Sequence, residues 1–221
     1  MRTSSACAVL LMLGLPLAAH GQEPQVVPVP PSGPQSAAWR MRMDDPSGSV
    51  DRVHLEPAED GAHISTRAAA IFWRPADTAS GTFTARATFH ARAGSSRREG
   101  YGLLVGGRDL AGPDQAYLYF LVRGDGSWLV KRRTGAETGT LSGGWQHSEA
   151  VAEAGEGGEV SHALAVSVGA ESVLFLVDGR RVGSVSRDAA GPTDGIVGLR
   201  VNHRLDVEVT GPGVRPEGAS Q

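Results

Sequence analysis

Over residues 82–91 the chain alternates without a break: Phe83, Ala85, Ala87 and Phe89 fall on one side, and Thr82, Thr84, Arg86, Thr88 and His90 on the other. A period of two sends successive side chains to opposite faces of an extended strand, so this segment predicts a strand with one buried face. The pattern recurs near the end of the chain, where Leu205, Val207 and Val209 alternate with Arg204, Asp206 and Glu208. Between these stretches, glycine-marked turns join apolar runs. Residues 116–123 and 127–133 flank Gly124-Asp125-Gly126, and residues 173–177 meet Asp178-Gly179 before returning through 181–185. Asp-Gly between two apolar runs predicts a tight hairpin, because such turns need positive φ that glycine adopts freely. Further runs at 101–105, 163–168 and 196–201, with weaker ones near His54, His63, Ile71 and Trp145, bring the total to roughly a dozen short strands. The prediction is an all-β fold, a two-sheet antiparallel β-sandwich of the lectin-like jelly-roll kind.

The domain limits follow from composition shifts at both ends. Arg2 precedes an apolar run over residues 6–19, and Ala19-His20-Gly21 offers small residues where a signal peptidase reads them. The run is about 14 residues against the roughly 20 that span a bilayer, and Gly14 and Pro16 interrupt it. Residues 1–21 are therefore expected to be a cleaved signal peptide and the product to be exported, periplasmic or extracellular, with no later membrane span. Cys7 is the only cysteine and leaves with the leader, so no disulfide, thiolate metal site or cysteine nucleophile is expected. Residues 22–38 hold five prolines and no apolar periodicity, which predicts a proline-rich linker. The β-sandwich domain is expected over 39–211, followed by a Gly/Pro-rich flexible tail at 212–221. Without Arg2 the 21 Lys and Arg residues become 20 against 24 Asp and Glu, a formal −4 that suggests no nucleic-acid footprint.

The order of motifs adds a resemblance. Tyr101-Gly102-Leu103-Leu104-Val105-Gly106-Gly107 precedes residues 117–122 and the Gly124-Asp125-Gly126 turn. Lys131, Trp145, residues 163–166, the 175–179 segment and the closing Gly195-Ile196-Val197-Gly198-Leu199 follow. Across residues 69–210 this order resembles the concanavalin A-like lectin/glucanase superfamily, including laminin G-like domains and exported bacterial domains related to keto-disaccharide hydrolases. The resemblance implies a jelly roll, while the function stays open because such folds host lectins, glucanases and adhesion modules alike.

Catalytic signals are missing from the sequence. Laminarinase-like members of that superfamily carry Glu-x-Asp-x-x-Glu along one strand, and the spacing does not occur here. Asp206 and Glu208 share one strand face and read as a solvated polar row on an outer strand. Glu153, Glu156 and Glu159 sit among glycines in a loop, a poor platform for positioned chemistry. No nucleophile elbow, His-Glu-x-x-His pair or phosphate loop is present. The histidines after the leader are scattered singly, and Trp39, Trp73 and Trp145 read as core or rim fillers.

Binding residues are more legible. Tyr117 and Tyr119 lie two apart on one strand face, opposite Leu118, Phe120 and Val122, which read as core. Across the hairpin, Lys131 and Arg133 share a face. Together they suit a carbohydrate or another acidic or hydroxyl-rich ligand, held by stacking and hydrogen bonds. By the resemblance, Asn202 and His203 join them. Calcium is the one cofactor the sequence suggests: Asp109 and Asp114 share a turn-rich loop, although hard cations want six or more oxygens and turn-forming aspartate explains the loop as well. The leading expectation is an exported non-catalytic module, with a divergent glycoside hydrolase or lyase-like enzyme and a structural or adhesion module as alternatives.

Overall fold

The computed structural model describes residues 26–28 and 39–216. The leader read at 1–21, most of the proline-rich segment and residues 217–221 lie outside them. In chain order the strands are β1 (Val26–Pro28), β2 (Arg40–Met43), β3 (Val53–Ala58), β4 (Gly61–Thr66), β5 (Ala70–Ala79) and β6 (Phe83–Ala91). The middle of the chain supplies β7 (Tyr101–Arg108), β8 (Ala116–Val122), β9 (Ser127–Thr134), β10 (Glu137–Thr140) and β11 (Gln146–His147). Then come β12 (Val160–Val168), β13 (Ser172–Val177), β14 (Arg180–Ser186), one helical turn α1 (Arg187–Ala190), β15 (Gly195–Val201) and β16 (Leu205–Pro216).

Two antiparallel sheets form a sandwich. One has nine strands in the order β1-β2-β5-β15-β7-β8-β9-β10, with β11 also on β9; the other has seven, β14-β13-β12-β6-β16-β4-β3. This is the all-β jelly roll that the alternation and turn signals predict. Both glycine-marked hairpins form, and Asp178 and Gly179 take φ of 49° and 74°, the left-handed pair that matches strand twist. Phe72, Leu103, Phe120 and Val201 from the larger sheet meet Phe83, Phe89, Leu164, Phe175 and Val207 from the smaller one. Among the described residues no helix is long and apolar enough to cross a membrane.

The two sheets treat their outward faces differently. In the smaller sheet β6 and β12 alternate buried with exposed, so the outward row meets water. Asp206 and Glu208 lie on that row, on an interior strand rather than an outer one, and are matched there: His63 Nε2 is 2.7 Å from Asp206 Oδ1, and Arg92 Nη2 donates to Glu208 Oε2 at 3.0 Å. In the larger sheet β7 is buried from Tyr101 to Gly107, and β8 from Tyr117 to Val122. A strand buried on both faces has a layer above as well as below. That outer layer holds Ile71, Trp73, Leu104, Leu110, Tyr117, Tyr119 and Leu121, with Trp145 and Ile196 packed against it.

The ends depart from the expected limits. β16 does not stop at Gly211: after an irregularity at Gly211-Pro212, Gly213 to Pro216 pair again with Arg86 to Phe83 of β6. Gly211, at φ 60°, supplies the bend that lets pairing resume, so residues 212–216 are strand rather than loose tail. Within the proline-rich stretch, Val26–Pro28 add an edge strand on β2, where a proline lacking N–H is tolerated.

Candidate functional site

The β8–β9 hairpin builds one side of the outer layer. Arg123 N donates to Ser127 O at 2.8 Å across a three-residue turn whose Gly126 has φ of 80°. The resulting register sets Tyr117 opposite Arg133 and Tyr119 opposite Lys131, bringing four sequence-predicted binding residues onto one face. The tyrosine rings, 5.5 Å apart between centroids, do not stand open as a stacking platform: Tyr117 is 2% exposed and Tyr119 4%. Leu110 and the apolar residues of β5 and β7 pack with them, so the rings form a floor and the polar groups around them form the rim.

Arg200 is the hub of that rim. It points outward from β15, between β5 and β7, and is 6% exposed. Its Nη1 and Nη2 donate end-on to Asp44 Oδ1 and Oδ2 at 3.0 and 2.5 Å, and Nη1 also reaches Tyr117 Oη at 3.3 Å. The guanidinium lies 5.0 Å from the Tyr119 ring centroid, within cation–π range. Arg133 Nη2 is 3.5 Å from the same Asp44 carboxylate. Arg42, outward on β2, donates through Nη1 to Leu110 O and Gly112 O, tying the 109–115 loop down over the sheet.

The charge states follow from burial and pairing. Burial alone pushes the Asp44 carboxyl up, but the hydrogen bonds from Arg200 and the charges of Arg200 and Arg133 outweigh it and hold Asp44 below the usual carboxylate range. For Arg200 burial pulls downward and the Asp44 bonds reverse it, so the guanidinium stays charged. Burial pulls Arg42 somewhat down and pushes the phenols of Tyr117 and Tyr119 up, so both tyrosines are neutral.

The rim is under-satisfied. Among the described residues five buried side-chain polar atoms lack a hydrogen-bond partner, and four of them belong to residues of this face: Arg123 Nε, Arg133 Nε, Arg200 Nε and Asn202 Oδ1. Buried polar atoms are nearly always paired, so this concentration of unpartnered ones sets the face apart. Arg123 stacks 3.5 Å over Trp145. Asn202 follows β15, where its N–H donates to Gly100 O at 2.9 Å. His203 lies farther out, half-exposed, with Nδ1 3.7 Å from Glu99 Oε2.

Asp109 and Asp114 do meet, but as a turn: Asp109, at φ 45°, accepts the Asp114 N–H through Oδ2 at 2.9 Å. Among the described residues no group of three or more His, Cys, Asp or Glu side chains gathers in metal-binding geometry. Arg42, Asp44 and Arg200 are parts of the site that the sequence did not disclose. An arginine on the polar row of a strand carries no mark that separates it from a solvated one.

A jelly roll with a buried tyrosine–arginine–carboxylate face on the outward side of one sheet is the class these features define. No protein-family model and no curated protein matches the chain. Among solved structures it is similar to the carbohydrate binding module CBM66 from Bacillus subtilis, at TM-score 0.58 and 10% identity, covering 79% of this chain and 94% of that one. It is also similar to a protein of unknown function with a galectin-like fold from Bacillus subtilis, at TM-score 0.51 and 13% identity, covering 80% and 89% respectively. The shared feature is the fold, an antiparallel β-sandwich.

Proposed function

We propose that this chain is an exported, non-catalytic module that binds a carbohydrate on the outward face of its nine-stranded sheet. The observation that carries the reading is the cluster of unpartnered polar atoms on Arg123, Arg133, Arg200 and Asn202. Three are donors and one is an acceptor. Vicinal sugar hydroxyls both accept and donate, so a saccharide lying along the sheet offers partners of both kinds. The cluster costs folding free energy as it stands, because buried charges are seldom worth their desolvation for stability alone. The fold likeness to a carbohydrate binding module supports the same reading. Against catalysis stands the chemistry of Asp44: its carboxylate is held ionised by Arg200, which unfits it as a proton donor, and glycoside hydrolysis needs a second carboxylate across the sugar. On this reading the leader at residues 1–21 delivers the binding face to the periplasm or beyond.

The test is calorimetric titration of the full chain against ligands selected on a glycan array. Saturable binding is expected, and Asn202→Ala should weaken it several-fold while leaving the circular dichroism spectrum unchanged. Absence of saturable binding across the array retires the reading, and release of reducing sugar from an oligosaccharide panel would replace it with an enzyme.

A further inference from the structure

Resting on the carbohydrate reading, we infer that the saccharide this face takes is acidic, with its carboxylate or sulfate group drawn to the guanidiniums of Arg133 and Arg200. Charge balance is the first support. Three guanidiniums, those of Arg42, Arg133 and Arg200, are almost wholly withdrawn from water on one face. Asp44 is the carboxylate bonded among them. Arg42 is satisfied by two backbone carbonyls, which carry no net charge. Asp109, on the Arg42 side, offsets the charge of Arg42, which leaves Arg133 and Arg200 sharing the one Asp44 carboxylate. Tyr117 and Tyr119 remain neutral, and Lys131 adds another cation beside Tyr119. The face thus carries a positive excess that a neutral sugar leaves standing and an anionic one removes.

Geometry is the second support. Asp44 engages Arg200 end-on, through both Nη atoms, and so leaves the Nε edge vacant. Arg133 reaches Gly135 O through Nη1 at 3.4 Å and Asp44 through Nη2 at 3.5 Å, again with Nε open. A planar guanidinium offers its Nε–H and a neighbouring Nη–H as a parallel fork, the shape that receives two oxygens of one carboxylate or sulfate. Both guanidiniums are anchored on the same Asp44 carboxylate, which keeps the two unpartnered Nε donors on one face. Asn202 Oδ1, an acceptor, then has a ring hydroxyl to receive.

The experiment titrates the full chain with uronate and sulfated oligosaccharides, each beside its carboxyl-reduced or desulfated counterpart. The acidic member of a pair should bind about ten-fold or more tightly than its neutral counterpart, and its affinity should fall as salt rises. Arg133→Gln should remove most of that preference while melting temperature and circular dichroism stay close to those of the parent. Arg200→Lys keeps the charge but loses the fork and should do the same; if that variant fails to fold, Arg133→Gln, whose side chain lies nearer solvent, carries the test. Preference for uronates alone assigns a carboxylate, preference for sulfated members alone assigns a sulfate, and either supports the inference. Equal affinity within every pair overturns it and leaves the carbohydrate reading intact. No binding to any member overturns both.

Discussion

His162 is wholly buried between the sheets, a place where a titratable ring must be satisfied twice. Its Nε2 lies 2.9 Å from Ala152 O, so that nitrogen carries the proton and Nδ1 accepts from Tyr101 Oη at 2.7 Å. Burial is the largest influence and pushes the imidazole below its usual pKa. The unfolded chain takes up a proton near pH 6.5 while the folded chain does so only at lower pH. The neutral ring therefore contributes stability in full above about pH 6.5, and that contribution drains away as pH falls toward the depressed folded value. Urea melts at pH 7.5 and 5 should show the loss, and His162→Gln should narrow it; equal pH dependence in both chains refutes the assignment. The sequence did carry a clue: His162 falls on the same period-two row as Leu164, Val166 and Val168. Arg200 left no such clue, because its outward position beside Val201 looks like any solvated strand residue.

The central strands of the larger sheet were legible as strands but not as doubly covered ones. Residues 101–107 and 116–122 are near-continuous apolar runs, and such runs signal burial on both faces. The tyrosines within β8 instead read as an open face, because hydroxyl-bearing rings sit at sheet rims as readily as beneath a loop. The Arg42 bonds to Leu110 and Gly112, which hold the 109–115 loop, settle the matter and come from a strand remote in sequence. Strand spacing at this place is equally unforgiving. A Cβ added at Gly102 would lie 2.0 Å from Phe120 O, which is backbone and cannot swing aside. Gly102→Ala should therefore cost about 3 kcal/mol or more in a denaturant melt. It should also disturb ligand binding, since Gly102 pairs with Arg200. A cost below about 1 kcal/mol would show that the β7–β8 spacing yields more easily than this packing implies.

At the scale of the whole molecule, β16 closes the fold by running between β4 and β6 and resuming its pairing with β6 after the Gly211 bend. Val214, on that last stretch, is partly buried against the core. A chain ending at Thr210 should thus lose roughly 1–3 kcal/mol in urea relative to a chain ending at Pro216. Equal midpoints would mean that residues 213–216 add nothing to closure. The sequence alone determined most of the strands, both hairpins, the sandwich and the inward rows, because a period of two and the φ demands of Asp-Gly turns act over a few residues. It also placed Tyr117, Tyr119, Lys131 and Arg133 together, since one short hairpin fixes that register. Only the tertiary structure brought in Asp44 and Arg200, partners 156 residues apart. The strand order β2-β5-β15-β7 that joins them comes from global packing of two faces, and no local pattern in the chain encodes it.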